Sequence, residues 1–313
     1  MPSSVRLPMR PAPIGRRPPN LAAEILPGLV RAMRPRQWVK NALVAAAPLA
    51  AGRLFELDVA VPTALAFVLF CVAASGVYLV NDVRDVASDR LHPIKRLRPV
   101  AAGLVPPRLA MLVGAILVIT AVALALLFAT PALAAVIVTY VATSLAYCFW
   151  LKNQPVIDLA VVSCGFLLRA TAGGAAAGIA LSQWFLLVAS FGSLFMVAGK
   201  RYSEMRVMGT EGGTTRRSLQ EYSESYLRFV WSMSASVVVM TYSLWAFEMT
   251  GATISGPWAQ LSIAPFVLGM MRYAVDIDRG AAGAPDDIIL GDRVLQAFGA
   301  GWLVLIAMGL FGA

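Results

Sequence analysis

Four polar residues that could bind a metal ion stand at the end of one long apolar run in this sequence. They are Asn81, Asp82, Asp85 and Asp89. On a helix that turns about 100° per residue, their side chains fall within one arc of about 100°. Carboxylates on one helix face repel one another and are costly to bury at a membrane boundary, so they need a neutralising partner. Oxygen ligands without histidine or cysteine suit Mg²⁺, which proteins commonly share with substrate phosphates.

Basic residues follow the acidic cluster in the same loop. Lys95, Arg96 and Arg98 could hold phosphate oxygens that a metal leaves free, the arginines as two-pronged donors and the lysine as a point charge. The two groups together predict a Mg²⁺–diphosphate site in which the three aspartates bind the metal and Asn81 lies beside them. An alternative is a solvated helix end, where the aspartates pair only with basic residues of the same stretch.

The composition is typical of a polytopic membrane protein. Of the 313 residues, 59% are hydrophobic and 14% are charged, whereas about 25% are charged in a soluble domain. Apolar runs of about 20 residues can cross a bilayer as helices. We expect an all-α membrane protein with about nine transmembrane helices, at roughly residues 36–52, 59–81, 107–129, 131–150, 156–178, 182–202, 226–249, 257–275 and 293–312. The first span is the weakest, because Lys40 and Asn41 lie in its opening turns, and it could instead lie on the membrane surface.

The distribution of Lys and Arg predicts the orientation of these spans. The alternate loops at 129–131, 178–182 and 249–257 contain neither residue, and by the positive-inside rule the opposite, basic side is cytoplasmic. The N-terminal arm belongs to the basic side, so the N-terminus is expected in the cytoplasm, and an odd number of spans then puts the C-terminus outside. Attraction to anionic lipid accounts for much of the net charge of +9, so no nucleic-acid partner is expected. Residues 1–30 are expected to form a disordered or surface cytoplasmic arm, and residues 31–313 a single transmembrane domain.

Charged residues within or at the end of other spans are further candidates. Asp158 and Arg169 lie inside the fifth predicted span, about three helical turns apart. Ionisable residues inside a span are functional candidates by default, although these two could instead form a structural pair or bind neighbouring spans. Lys200 and Arg201 at the end of the sixth span could bind substrate, or could only anchor that span on its basic side.

The acidic motif and the residues after it carry a family resemblance. The sequence resembles the UbiA superfamily of intramembrane transferases through the pattern Asn81-Asp82-x-x-Asp85-x-x-x-Asp89, followed by Arg98-Pro99-x-x-x-Gly103. The resemblance covers nearly the whole chain after about residue 30. It implies a UbiA-like helical bundle in the plasma membrane, with the N-terminus and the active site facing the cytoplasm and with Mg²⁺ held by the aspartates. It also allows a homotrimer, although nothing in the spacing of the residues indicates one.

The sequence departs from most members of that superfamily after the sixth span, where they carry a second Asp-rich motif. Here the segment reads "KRYSE", from Lys200 to Glu204, without a DxxxD pattern. This segment and "RPRQWVKN", from Arg34 to Asn41, resemble the branch that transfers 5-phosphoribose from phosphoribosyl diphosphate to decaprenyl phosphate, a polyprenyl phosphate lipid. In actinobacteria that reaction begins the supply of the arabinose donor for cell-wall arabinan.

The resemblance also implies roles for individual residues. It implies that phosphate groups are bound by Lys40, Lys152, Lys200 and Arg201, and that ribose hydroxyls or the metal are contacted by Tyr202 and Glu204. The acceptor phosphate carries a charge of about −1.5 to −2 and needs no strong general base, so catalysis would depend on positioning and charge. Two alternatives stay open. An aromatic prenyltransferase of quinone synthesis is disfavoured by the missing second acidic motif, and an ion-coupled transporter would carry its charges nearer the bilayer midplane.

Overall fold

The computed structural model describes residues 21–92, 94–211, 221–249, 256–283, 288 and 291–311. These residues are helical or irregular and contain no strand, which confirms the predicted all-α class. The α-helices are α1 (Leu21–Ala32), α2 (Ala46–Ala50), α3 (Leu57–Arg84), α4 (Val86–Leu91), α5 (Pro107–Phe128), α6 (Pro131–Phe149), α7 (Ile157–Ala177), α8 (Gln183–Glu211), α9 (Glu224–Met249), α10 (Trp258–Leu261), α11 (Ile263–Asp278) and α12 (Arg293–Phe311). Between them lie the 3₁₀ segments Pro35–Ala45, Lys95–Leu97 and Leu151–Asn153.

Six helices in the described part of the chain are long and apolar enough to cross a membrane. They are α3, α5, α6, α7, the Gln183–Arg206 part of α8 and the Glu224–Glu248 part of α9. The chain is therefore a multi-pass membrane protein. The three other predicted spans are made of shorter pieces: residues 36–52 divide between a 3₁₀ segment and α2, residues 257–275 divide between α10 and α11, and residues 293–312 contain the apolar segment Arg293–Gly309. The total of nine spans stays a prediction.

Small residues bring the backbones of the long helices close together. A Cβ atom on Gly76 would lie 2.8 Å from the carbonyl oxygen of Gly114, so α3 and α5 cross at a distance that excludes a larger residue. Such contacts are how membrane helices pack, because the bilayer supplies no hydrophobic force between them. A second core joins α7, α8, α9 and α11 through the buried side chains of Leu159, Phe195, Leu227 and Ile277.

The first predicted span takes an unusual form. Its opening eleven residues, Pro35–Ala45, are a 3₁₀ helix, although 3₁₀ runs longer than about four residues are uncommon. The segment packs against α3 and α7. A Cβ atom on Gly173 of α7 would lie only 2.1 Å from the carbonyl oxygen of Val44, so the glycine permits this contact. The packing brings Arg34, directly before the segment, to Asp82 of the acidic motif.

The helix that carries the acidic motif is interrupted at one residue. Asp85 has φ −93° and ψ 2°, between the end of α3 at Arg84 and the start of α4 at Val86. The prediction of one uninterrupted helical arc is therefore wrong at this point. Because the amide of Asp89 still donates to the carbonyl of Asp85 at 2.8 Å, the chain continues in nearly the same direction, but the carboxylates do not share one set of neighbours.

Candidate active site

Two arginines hold the buried carboxylate of Asp82, which is 1% exposed near the end of α3. Arg34, which precedes the first 3₁₀ segment, donates to its Oδ1 atom. Arg98 Nη1 lies 3.4 Å from the same oxygen and 2.7 Å from Oδ2 of Asp89, which is also buried. Arg98 therefore bridges two of the three predicted metal ligands.

The third aspartate of the motif has a different partner. The ammonium group of Lys152 contacts Oδ1 of Asp85, and both side chains are 20% exposed. Lys152 lies in the Leu151–Asn153 segment, which joins α6 to α7. The structure thus brings together Asp85 and Lys152, two site residues that the sequence predicted separately.

Arg34 is the site residue that the sequence analysis did not single out. Its backbone is left-handed, with φ 56° and ψ 59°, and its guanidinium carbon lies 4.9 Å from the centre of the Tyr78 ring. Within "RPRQWVKN" the sequence indicates only Lys40 as a candidate for binding phosphate. The sequence carries one signal for Arg34. It is a basic residue directly before Pro35, at the start of the first predicted span, on the same predicted side of the membrane as the acidic motif.

The donor set suits a divalent cation, although it is incomplete. The Oδ2 atom of Asp82 is buried without a hydrogen-bond partner, and Asp89 shares Arg98 with it. In the described residues, however, no group of three His, Cys, Asp or Glu side chains is arranged to hold a metal ion. The side chains of Arg34, Arg98 and Lys152 contact the carboxylates instead. The residues fit Mg²⁺ held by the Asp82–Asp89 pair, and a third ligand from Asp85 stays a prediction.

A second charged cluster forms between the start of α7 and residues Lys200–Glu204 of α8. Arg201, with its side chain 7% exposed, lies with Nε 3.3 Å from Oδ2 of Asp158 and donates from Nη1 to Glu204 at 2.9 Å. Its Nη2 atom is 3.3 Å from the hydroxyl of Tyr147 on α6. Lys200 lies 3.9 Å from the same Glu204 carboxylate. The cluster joins four of the predicted binding residues.

Tyr202 points away from that cluster. Its side chain is fully buried, and its hydroxyl lies 3.0 Å from Glu224 and 3.2 Å from Asp278. Arg228 donates to it at 2.7 Å. The hydroxyl therefore links α8, α9 and α11. Its contact with ribose hydroxyls or the metal stays a prediction.

Arg169 makes polar contacts deep in the bundle. Its Nε donates to Asn41 Oδ1 at 2.8 Å and its Nη2 to the hydroxyl of Tyr140 at 2.9 Å. Within the described residues no carboxylate lies within 4.0 Å of its guanidinium. The alternative of a pair between Asp158 and Arg169 is wrong, because Asp158 pairs with Arg201 instead. Arg169 joins the first 3₁₀ segment to α6 and α7.

The remaining candidates lie at the edge of the site. Arg96 is exposed, whereas Lys40, Asn81 and Lys95 are partly buried. The amides of Ile94 and Lys95 donate to Nδ1 of His92, at 3.2 and 3.3 Å. Burial, and then the positive charge of Lys95, lower the pKa of His92, so the ring is neutral and serves as an acceptor for the loop.

The apolar helices and the charged residues at their ends are those of a family of intramembrane transferases. Residues 41–286 match the UbiA prenyltransferase family, and the chain belongs to that family. A solved UbiA homologue from Archaeoglobus fulgidus, bound to GPP and Mg²⁺, superposes with a TM-score of 0.65 over 90% of this chain and 98% of its own. Because the two are only 16% identical, this likeness shows the fold alone.

Relatives of known name resemble the chain over nearly its whole length. The decaprenyl-phosphate phosphoribosyltransferase of Corynebacterium glutamicum is 50% identical over 300 residues, which cover 95% of this chain and 90% of the relative. The decaprenyl-phosphate phosphoribosyltransferase of Mycobacterium tuberculosis is 53% identical over 288 residues, covering 91% and 94%.

Proposed function

We propose that this protein transfers 5-phosphoribose from phosphoribosyl diphosphate to decaprenyl phosphate and releases diphosphate. The observation that carries the proposal is the identity of 50–53%, over 90% or more of both chains, to proteins named decaprenyl-phosphate phosphoribosyltransferase. The relatives' name specifies the acceptor and the transferred group. Phosphoribosyl diphosphate is proposed as the donor because the acidic motif with its flanking cations suits a diphosphate leaving group.

The charges of the site support two phosphorylated substrates. Arg34, Arg98 and Lys152 surround the aspartates, and Arg201 lies in the neighbouring cluster. Guanidinium groups bind phosphate oxygens in pairs, and lysine binds them as a point charge. Substrate phosphates could therefore take over contacts that the carboxylates now make. The same face would admit a soluble sugar diphosphate from one side and a lipid phosphate from the membrane.

The reaction needs few catalytic groups from the protein. A phosphate oxygen of the lipid forms a bond to the anomeric carbon of the ribose, and the bond from that carbon to the diphosphate oxygen breaks. The carbon passes through a state with oxocarbenium character, as in glycosyl transfer. Because the nucleophile is already anionic, the chain need only hold both phosphates in line and supply positive charge. Arg34 and Arg98, which contact Asp82, are our candidates for this role. Mg²⁺, when bound, would neutralise charge that develops on the diphosphate.

The proposal includes nine membrane crossings with a cytoplasmic N-terminus and one transmembrane domain over residues 31–313. The first crossing consists only of the 3₁₀ segment and α2. Eleven 3₁₀ residues at about 2.0 Å each and five α-helical residues at about 1.5 Å each extend about 30 Å, which matches the hydrocarbon thickness. Residues 1–20 of the predicted arm lie outside the described residues. A homotrimer stays a prediction.

A transfer assay tests the proposed activity. Purified protein is given Mg²⁺, radiolabelled phosphoribosyl diphosphate and decaprenyl phosphate, and the lipid is then extracted. We expect label in the lipid fraction, and we expect EDTA to abolish it and added Mg²⁺ to restore it. Absence of label in the lipid with Mg²⁺ present would sink the proposal. Prenylation of 4-hydroxybenzoate from a prenyl diphosphate would favour the aromatic prenyltransferase instead.

A further inference from the structure

One backbone turn next to the site has a strained conformation. Val156 has φ 67° and ψ −48°, and the amide of Ile157 donates to the carbonyl of Pro155 at 2.7 Å. This is a γ-turn with a positive φ at its centre, which is rare and strained. A β-branched residue in such a conformation is an outlier that the surrounding structure must enforce.

The turn does not owe its conformation to packing of its own side chain. Val156 is 53% exposed, so the valine buries little apolar surface. Its backbone amide instead donates to the hydroxyl of Tyr222 at 2.6 Å, and the same hydroxyl donates to Oδ1 of Asp158. Tyr222 is 8% exposed and lies two residues before the start of α9. One hydroxyl group therefore binds the centre of the turn and the first turn of α7.

The chemical state of Tyr222 suits this role. Burial, and then its hydrogen bond to Asp158, raise the pKa of the phenol well above its ordinary value. The hydroxyl therefore stays protonated across the pH range in which the protein works. It acts at once as a donor to the carboxylate and as an acceptor for the amide.

The turn connects the two charged parts of the candidate site. Lys152, four residues before Val156, contacts Asp85 of the acidic motif. Asp158, two residues after it, lies 3.3 Å from Arg201. The route along the chain from the acidic motif to the Arg201 cluster thus passes through this turn.

We propose that Tyr222 is a positioning residue, which holds the Pro155–Ile157 turn and with it the spacing of Lys152 and Asp158 that the substrate phosphates need. The inference rests on the proposed function, since it assumes that both charged groups face one phosphorylated substrate. Tyr222 itself does not touch the reacting atoms in this arrangement. It acts through the backbone of the turn.

The matched substitutions are Tyr222→Phe and Tyr226→Phe. Tyr226 stacks on Tyr222 at 5.5 Å with nearly parallel rings, and no hydrogen bond of its hydroxyl is found among the described residues. Each variant loses one hydroxyl from adjacent rings. We expect Y222F to raise KM for phosphoribosyl diphosphate about 5- to 20-fold, the effect of losing a hydroxyl that satisfies two polar groups, and Y226F to resemble wild type.

A binding measurement separates positioning from stability and from the chemistry. The melting temperature of each variant is measured with and without phosphoribosyl diphosphate and Mg²⁺, in the absence of lipid. Y222F should need a correspondingly higher concentration of the sugar diphosphate than Y226F to reach the same upward shift. A Y222F protein that melts earlier but keeps the wild-type KM and the wild-type concentration dependence would overturn the proposal, because its role would then be purely structural.

Relief of the strain supplies a second test. Glycine adopts positive φ without steric cost, so Val156→Gly should make the turn less dependent on the hydroxyl. We expect V156G/Y222F to have a KM within about threefold of V156G alone, and below that of Y222F. An equally large loss in both backgrounds contradicts a role in holding the turn. If Y222F alone does not fold, V156G/Y222F is compared with V156G only, and a KM more than about threefold higher in the double variant contradicts the proposal. Wild-type protein that binds the sugar diphosphate but transfers nothing would reject the proposed function, not this inference.

Discussion

At the residue scale, the charge balance around Asp82 decides how the site works. The carboxylate is buried near the end of a membrane helix, where an unpaired charge would be very costly. Arg34 and Arg98 compensate it from two sides, yet its Oδ2 atom remains without a hydrogen-bond partner. Removing the carboxylate or one of its arginine partners leaves a buried charge that is not compensated. Substitutions here should therefore affect binding and turnover strongly.

Asp82→Asn should reduce kcat/KM by about 100-fold or more, as loss of a metal ligand or its close partner does in other enzymes. The amide keeps the shape but not the charge, and it leaves Arg34 and Arg98 facing a neutral group. Asp58→Asn is the matched control, because Asp58 is on the same helix but is exposed and paired with Arg53. Wild-type transfer by D82N in the lipid-extraction assay would remove Asp82 from the site.

Arg34→Gln should lower kcat/KM about 10- to 100-fold, the equivalent of one charge-assisted hydrogen bond of about 1.5–3 kcal/mol. Glutamine cannot supply positive charge to Asp82. Arg36→Gln serves as the control, since Arg36 is exposed and lies two residues further on, in the 3₁₀ segment that follows Arg34. Steady-state kinetics of both variants make the comparison. Equal activities would mean that Arg34 acts only as a membrane-surface anchor.

At the element scale, the contact between the first 3₁₀ segment and α7 determines where two site residues lie. Arg34 stands directly before the segment, and Lys40 lies within it. Arg169 binds Asn41 from α7, and Gly173 admits the backbone at Val44 one helical turn further on. The segment is thus held by a buried polar contact and by close backbone packing, rather than by intrinsic helix propensity.

Gly173→Ala should destabilise the protein by about 1–3 kcal/mol, because its methyl group would overlap the carbonyl oxygen of Val44. Gly165→Ala is the control on the same helix, where the nearest atom to an added Cβ is 3.5 Å away. Thermal unfolding in detergent should show a lower melting temperature for G173A than for G165A. Equal melting temperatures would contradict the close approach described for the 3₁₀ segment.

At the scale of the whole molecule, charged groups gather where several membrane helices end on one side. The end of α3, the α6–α7 connection and the last turns of α8 meet there, as the contacts from Lys152 to Asp85 and from Arg201 to Asp158 show. The arrangement follows from alternating helix directions. It concentrates positive charge at one membrane surface, as the positive-inside rule expects of the cytoplasmic side.

The proposed orientation predicts opposite labelling of two introduced cysteines. Ser88 in α4 is on the charged side, and Ser182 precedes α8 on the other side; both are exposed. A membrane-impermeant thiol reagent should label Ser88→Cys only in inverted vesicles and Ser182→Cys only in right-side-out vesicles. The unsubstituted protein is the control, because its three cysteines lie within membrane helices. The reverse pattern would place the site on the outer face.

The sequence by itself determined the features that depend only on residues close to one another along the chain. The apolar runs predicted the six long helices, because a helix needs only a local pattern and sufficient length to cross a bilayer. The acidic motif and Arg98 lie within 18 residues of one another, so their association also followed from the sequence. The same local reasoning grouped Lys200, Arg201, Tyr202 and Glu204, but the Tyr202 hydroxyl contacts Glu224 and Asp278 instead.

Only the tertiary structure decided which distant residues complete the site. Arg34 and Asp82 are 48 residues apart, and Asp85 and Lys152 are 67 apart. These pairs depend on which helices pack together and how closely, and that is set by contacts such as Gly173 against Val44. Helical periodicity assigns each side chain a face of its own helix, but it does not specify the helix opposite. For the same reason the sequence left open whether Asp158 and Arg169 pair with each other or bind neighbouring spans, and packing decided it by joining Asp158 to Arg201 and to Tyr222.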